Sequence, residues 1–126
     1  MSLSFSGGAT LPDGYVAGVI GVAPGSPLLT RIQATAPAQT CGPHDELLIQ
    51  PDTRSLLLDH TLALKDAIAR TDAAIALERL RRRGGSALLL SHEPELLRWL
   101  CDEVWWIDGD CLQAKGDPTE TLEHYL

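Results

Sequence analysis

The chain has 126 residues, a formal net charge of -7 and three cysteines. That length suits one domain with one real core, and the acidic balance argues against nucleic acid as a partner. The odd cysteine number, Cys41, Cys101 and Cys111 with no CxxC pair, suits reduced thiols and argues against a disulfide scaffold.

In chain order, Ser2 to Phe5 alternates polar and apolar residues like an edge strand, and Gly7-Gly8 and Pro12-Asp13-Gly14 supply turn chemistry. Tyr15 to Ile20 is predicted as a second strand ending at Gly21. The apolar run Val16 to Ala23 is too short to cross a bilayer, and no Lys or Arg precedes Arg31 to supply the charged start of a leader peptide, so direct membrane insertion is not expected. Ser26 is placed to cap a helix that begins at Pro27 and runs to about Ala34. Thr35 to His44 shows no periodicity and reads as loop. Glu46 to Gln50 and Ser55 to Asp59 are strand candidates separated by the turn signal Pro51-Asp52.

A longer helix is expected from about Leu64 to Arg83, its apolar stripe made of Leu64, Ile68 and Ile75 with Ala67 and Ala74, and its end marked by Gly84-Gly85. The cluster Arg79, Arg81, Arg82 and Arg83 falls where cations complement the helix dipole. Ser86 to Leu90 is the next strand, which makes a strand, helix, strand unit. Pro94 to Cys101 reads as a short helix and Val104 to Ile107 as a strand. Asp108-Gly109 turns into a strand from Cys111 to Ala114, and Asp117-Pro118 opens a last helix. Trp105 and Trp106 point to opposite faces of their strand, so either both are packed under Trp99 and the last helix or one indole is exposed for an interface. Cys101 and Cys111 read as small packing residues. His44, His60, His92 and His124 match no zinc spacing.

Leu56-Leu57-Leu58-Asp59-His60, the loop Ala63-Leu64-Lys65-Asp66, Leu90-Ser91-His92-Glu93, the tryptophan hairpin and the entry Gly116 to Glu120 occur in that order. Together they resemble the second half of an ATP-binding cassette (ABC) ATPase domain. The resemblance implies an α/β fold, a P-loop NTPase-like core with a mainly parallel sheet, helices on both faces and a small antiparallel N-terminal portion. It further implies that Asp59 is the Mg²⁺-holding aspartate and that His92 contacts the terminal phosphate. Gly21, Gly25 and Ser26 match the phosphate loop, with Ser26 as the second metal-facing residue. ATP and Mg²⁺ are the cofactors such a site takes.

The same family pattern is broken in three places. The loop Gly21 to Pro27 is about two residues shorter than G-x-x-x-x-G-K-[ST], lacks the lysine, and has Pro24 and Pro27 where backbone donors are needed. His60 stands where the family carries the glutamate that polarises water; a neutral imidazole can take a proton, so His60 remains a candidate base beside His92. Only Arg31–Arg54 separates the phosphate-loop helix from the strand ending in Asp59, which leaves no helical subdomain or signature motif. Phe5-Ser6-Gly7-Gly8 matches that signature in letters but stands on the wrong side of the phosphate loop, and is read as a turn.

The expectation is therefore a cytoplasmic, degenerate ABC-type domain without hydrolysis and without a resident cofactor, working through a protein partner, regulation or self-association, with a possible tie to an ABC transport system. The alternatives are a residual Mg-nucleotide switch or weak ATPase, and a structural homo-oligomeric module.

Overall fold

A computed structural model describes residues 3–6, 8–34, 38–109 and 111–125. Its spine is a six-stranded sheet in the order β5-β6-β7-β3-β8-β9. These strands are β3 (Val16–Ile20), β5 (Ala38–Cys41), β6 (Ser55–Asp59), β7 (Ser86–Leu90), β8 (Glu103–Asp108) and β9 (Cys111–Gly116). All neighbours are parallel except the β8–β9 hairpin. β3, β6 and β7 are buried at every position, which is why their sequences are continuous apolar runs without alternation.

One face of the sheet carries α1 (Ala67–Arg82), α2 (Pro94–Leu100) and α3 (Pro118–Tyr125), whose Leu77, Leu80, Leu97 and Leu122 pack on Val16, Leu56, Leu58 and Leu89. Gly18 lets α2 come this close, because a Cβ there would stand 2.7 Å from a Leu97 methyl. The other face is covered by a 3-10 helix (Pro27–Arg31) and by a small antiparallel sheet of β1 (Leu3–Phe5), β2 (Ala9–Leu11) and β4 (Ile32–Ala34). The α/β class, the mainly parallel sheet and the antiparallel N-terminal portion are thus present. The helices divide unequally, with only the 3-10 segment on the second face.

Several local expectations are corrected. β1 is the central strand of its sheet, with Leu3 and Phe5 buried, and not an edge. The turn read over Phe5-Ser6-Gly7-Gly8 closes with the Gly8 N–H donating to the Phe5 carbonyl at 2.9 Å, although Gly7 itself lies outside the described residues. The helix after Ser26 stops at Arg31, and the chain continues as β4. Part of the stretch read as loop is β5, paired in parallel with β6; residues 35–37 lie outside the described set. Glu46 to Gln50 is no strand: the Gln39 side-chain amide donates to the Leu48 carbonyl and accepts from the Gln50 N–H, taking the place of a neighbouring strand.

The largest correction concerns α1. It begins at Ala67, capped by Asp66, so Leu64 lies in the turn before it and is 68% exposed; its buried face is Ala73, Leu77 and Leu80, while Ile68 and Ile75 point the other way and are 76% and 48% exposed. Helical periodicity finds a stripe but not the direction of the sheet, and this helix has two. Trp105 is fully buried under the antiparallel sheet and donates to Glu103 Oε1, and Trp106 meets Tyr125 edge-on at 5.8 Å. The exposed tryptophan is Trp99, and Cys111 faces outward on β9.

Candidate functional site

Strand order places the carboxyl ends of β6, β7 and β3 side by side, with Asp59 level with Leu90 and Leu90 level with Val19. Loops leaving these ends carry every residue that the sequence nominated. At such an edge of a parallel sheet, ligands are normally received.

After β6 the chain turns abruptly. His60 has φ 56°, the sole non-glycine residue with positive φ among those described. His is one of the residue types that tolerates this region better than most. The turn is fixed by the His60 N–H donating to the Leu90 carbonyl at 3.1 Å, by the Ala63 N–H donating to the His60 carbonyl at 3.1 Å, and by Thr61 Oγ1 donating to the Cys41 carbonyl at 2.9 Å. Asp59 and His60 are both buried, and Asp59 Oδ1 lies 2.9 Å from His60 Nδ1. With Nδ1 as the donor to that carboxylate, the lone pair is on Nε2, which has no hydrogen-bond partner and touches almost no solvent. The ring of His92, itself exposed, sits 4.8 Å from that of His60 at a 40° tilt.

The loop after β7 is held to its surroundings as well. The Ser91 N–H donates to the Val19 carbonyl, and Ser91 Oγ accepts from the Glu93 N–H at 3.0 Å. Arg70, at the start of α1, donates to the Leu62 carbonyl at 3.1 Å and to Glu93 Oε2 at 2.7 Å, so it ties the loop after β6 to the loop after β7. Sequence reasoning missed Arg70. A cation in the first turn of a helix works against the dipole, and that misplacement was the one available signal.

After β3 the arrangement changes. Gly21 is exposed with φ 95°, and a Cβ there would stand 2.4 Å from the Ile107 carbonyl oxygen, so only glycine passes beside β8. Ala23 to Ser26 forms a Pro-Gly turn, with Gly25 at φ 70° and the Ser26 N–H donating back to the Ala23 carbonyl at 3.3 Å. Ser26 Oγ accepts from the Leu28 N–H at 3.2 Å, an N-cap of the 3-10 helix. The Gly25 N–H donates to Asp59 Oδ2 at 2.9 Å.

That last bond brings the phosphate-loop candidate and the metal candidate together, and it decides what they can do. A phosphate cradle needs several backbone N–H groups aimed at one anion, plus a cation. Here Pro24 and Pro27 have none, Ala23 to Leu29 contains no lysine, and the Gly25 N–H is given to a carboxylate. Asp59 in turn has one oxygen on His60 and the other on Gly25. Both Asp59 oxygens and the Gly25 N–H are thus engaged within the chain. Among the described residues, no three His, Cys, Asp or Glu side chains gather as a metal-binding group. His44 and His124 are exposed and lie outside the site's bonds.

No family model matches the chain. Over 77 residues it is 29% identical to the O-antigen export system ATP-binding protein RfbB of Myxococcus xanthus, covering 61% of this chain and 17% of that protein. It is 27% identical to the RfbB of Klebsiella pneumoniae, covering 61% and 30%. Over 78 residues it is 28% identical to the teichoic acids export ATP-binding protein TagH of Lactiplantibacillus plantarum, covering 61% and 21%. The chain thus spans 17% to 30% of the length of these relatives. A solved structure of cbiO1 from Clostridium perfringens, described as part of the ABC transporter complex cbiONQ, matches with a TM-score of 0.49 at 19% identity, over 59% of this chain and 30% of that one.

Proposed function

We propose, from the premise that this chain is a reduced relative of the ATP-binding domains of ABC systems, that it is a pseudo-ATPase: a cytoplasmic module that does not hydrolyse ATP and acts by binding a protein partner. The observation that carries this reading is the Gly25 N–H donated to Asp59 Oδ2 at 2.9 Å. A nucleotide would have to compete with an internal carboxylate for one of the few donors left in the loop. Bringing a triphosphate against that carboxylate without a lysine adds like-charge repulsion. The short phosphate loop then serves as a strap that closes the sheet edge, and Gly25 and Ser26 are structural in it. By the names of its relatives, the partner belongs to an ABC export system for surface polysaccharide. No helix among the described residues is long and apolar enough to cross a membrane.

A second reading, a residual nucleotide switch or weak ATPase, draws on His60, whose Nδ1 is oriented by Asp59 and whose Nε2 is bare. Such a base has work only if a triphosphate is held in line beside it. Titrating Mg-ATP into the protein by calorimetry, with His92→Ala alongside, separates the two. The expected result is no saturable heat from either protein. Saturable binding that weakens in His92→Ala overturns the pseudo-ATPase and reinstates the second reading.

A further inference from the structure

The helix α1 has a second apolar face, opposite the one it buries. Ile68 and Ile75 project from it, 76% and 48% exposed, and Trp99 of α2 stands beside it at 55%. Ile75, Ala74, Thr71, Arg79, Arg82 and Trp99 line an open groove of about 520 Å³. Large apolar side chains grouped on one face mark a contact surface more often than isolated ones do.

The charges on this face indicate what covers it. Arg81 and Arg82 both pair with Glu78. Asp72 and Arg79 are exposed and have no ion-pair partner among the described residues. They stand on one stripe, seven positions and about 10 Å apart along the axis, too far to pair with each other. Ile75 lies midway between them. A second α1 laid antiparallel across this face, with the two-fold axis beside Ile75, puts Asp72 of each copy opposite Arg79 of the other. The same rotation brings the two Ile75 side chains within one residue step of each other, and Ile68 within one residue step of the aliphatic stem of Arg82. An unrelated partner needs a surface complementary to this one, whereas only a second copy requires that the face complement itself.

We infer that the outer face of α1 is an isologous dimer interface, centred on Ile75, with reciprocal Asp72–Arg79 ion pairs and Trp99 at its border. The surface belongs to the helical layer and does not depend on whether the cleft at the sheet edge takes nucleotide.

Sedimentation velocity over a wide concentration range tests this with the intact chain. The wild type is expected to dimerise reversibly, and Ile75→Asp to remain monomeric. Asp72→Arg and Arg79→Asp are each expected to weaken the dimer by roughly tenfold, and the double reversal to restore it. All three positions are exposed, and circular dichroism verifies that each variant is folded. A wild type that stays monomeric throughout overturns the inference. So does a dimer indifferent to Ile75→Asp, or a double reversal no better than the single ones. The Mg-ATP titration is read independently, so either conclusion can fail without the other.

Discussion

The two sides of the sheet's carboxyl edge contain similar residue types held in different ways. On the β6 and β7 side, His60, Thr61, Ser91 and Arg70 are fixed by bonds to the backbone of neighbouring strands and loops, and Asp59 holds the His60 ring. On the β3 side, Gly21 to Pro27 is a loop exposed except for buried Val22 and half-buried Ser26, with a local turn, a local cap and a long-range bond from Gly25 to Asp59. The difference teaches which features of a nucleotide site also serve the fold. An aspartate that closes a strand end and a serine that anchors a loop keep a structural role when no phosphate is present.

The sharpest way to break this contrast is to remove the bond that joins its two sides. Asp59→Ala strands the buried His60 Nδ1 and releases the Gly25 N–H, with an expected loss of about 3 kcal/mol. Denaturant unfolding gives that loss, and hydrogen exchange should show the Gly25 amide speeding up far more than Ser91. A loop that stays protected in this variant would mean that the local turn alone holds it. Gly18→Ala probes the helical layer and leaves the edge alone. Its Cβ would press on the Leu97 methyls and on Cys101 Sγ, and the expected cost is about 2 kcal/mol.

Gly25→Ala should cost less, about 1 kcal/mol, because no atom lies within 4 Å of the added Cβ and only the positive φ is strained. A much larger loss in thermal unfolding would show that the strap bears more of the fold than its exposure suggests. The smallest effect concerns thiols, with no change in stability. Burial, reinforced by the Asp102 charge, pushes the Cys101 thiol up to about 12, and burial likewise raises Cys41. The thiolate is the reactive form, so at pH 8 iodoacetamide should label exposed Cys111 and spare Cys101 and Cys41 in the folded protein, as read by mass spectrometry. Raising the pH increases the thiolate fraction, and Cys101 is expected to react only near its own high value or on unfolding.

Much of the second half was legible from sequence because its signals are local. The strands Ser55–Asp59 and Ser86–Leu90 occupy the expected residues. Asp117 accepts from the Glu120 N–H three positions on, the local cap that the sequence places there. The short strands β2, β4 and β5 were not legible. Three or four residues carry too little periodicity, and their pairing comes from distant partners such as Leu3 for Leu11 and Ser55 for Ala38. In the candidate site, the strand pattern placed the nominated residues after strand ends that prove to be neighbours, but the bond from Gly25 to Asp59 was not legible.

The sequence by itself determined where apolar runs, caps and breakers fall, because those depend on neighbours within a few positions, and it determined that Ala23 to Leu29 contains no lysine. Tertiary structure alone decided which of α1's two apolar faces meets the sheet, leaving Ile68 and Ile75 outside. It also decided that a carboxylate distant in sequence takes the Gly25 N–H. Both outcomes depend on surfaces brought together only when the strands pair in the order β6-β7-β3, and helical period or residue spacing holds no record of that order.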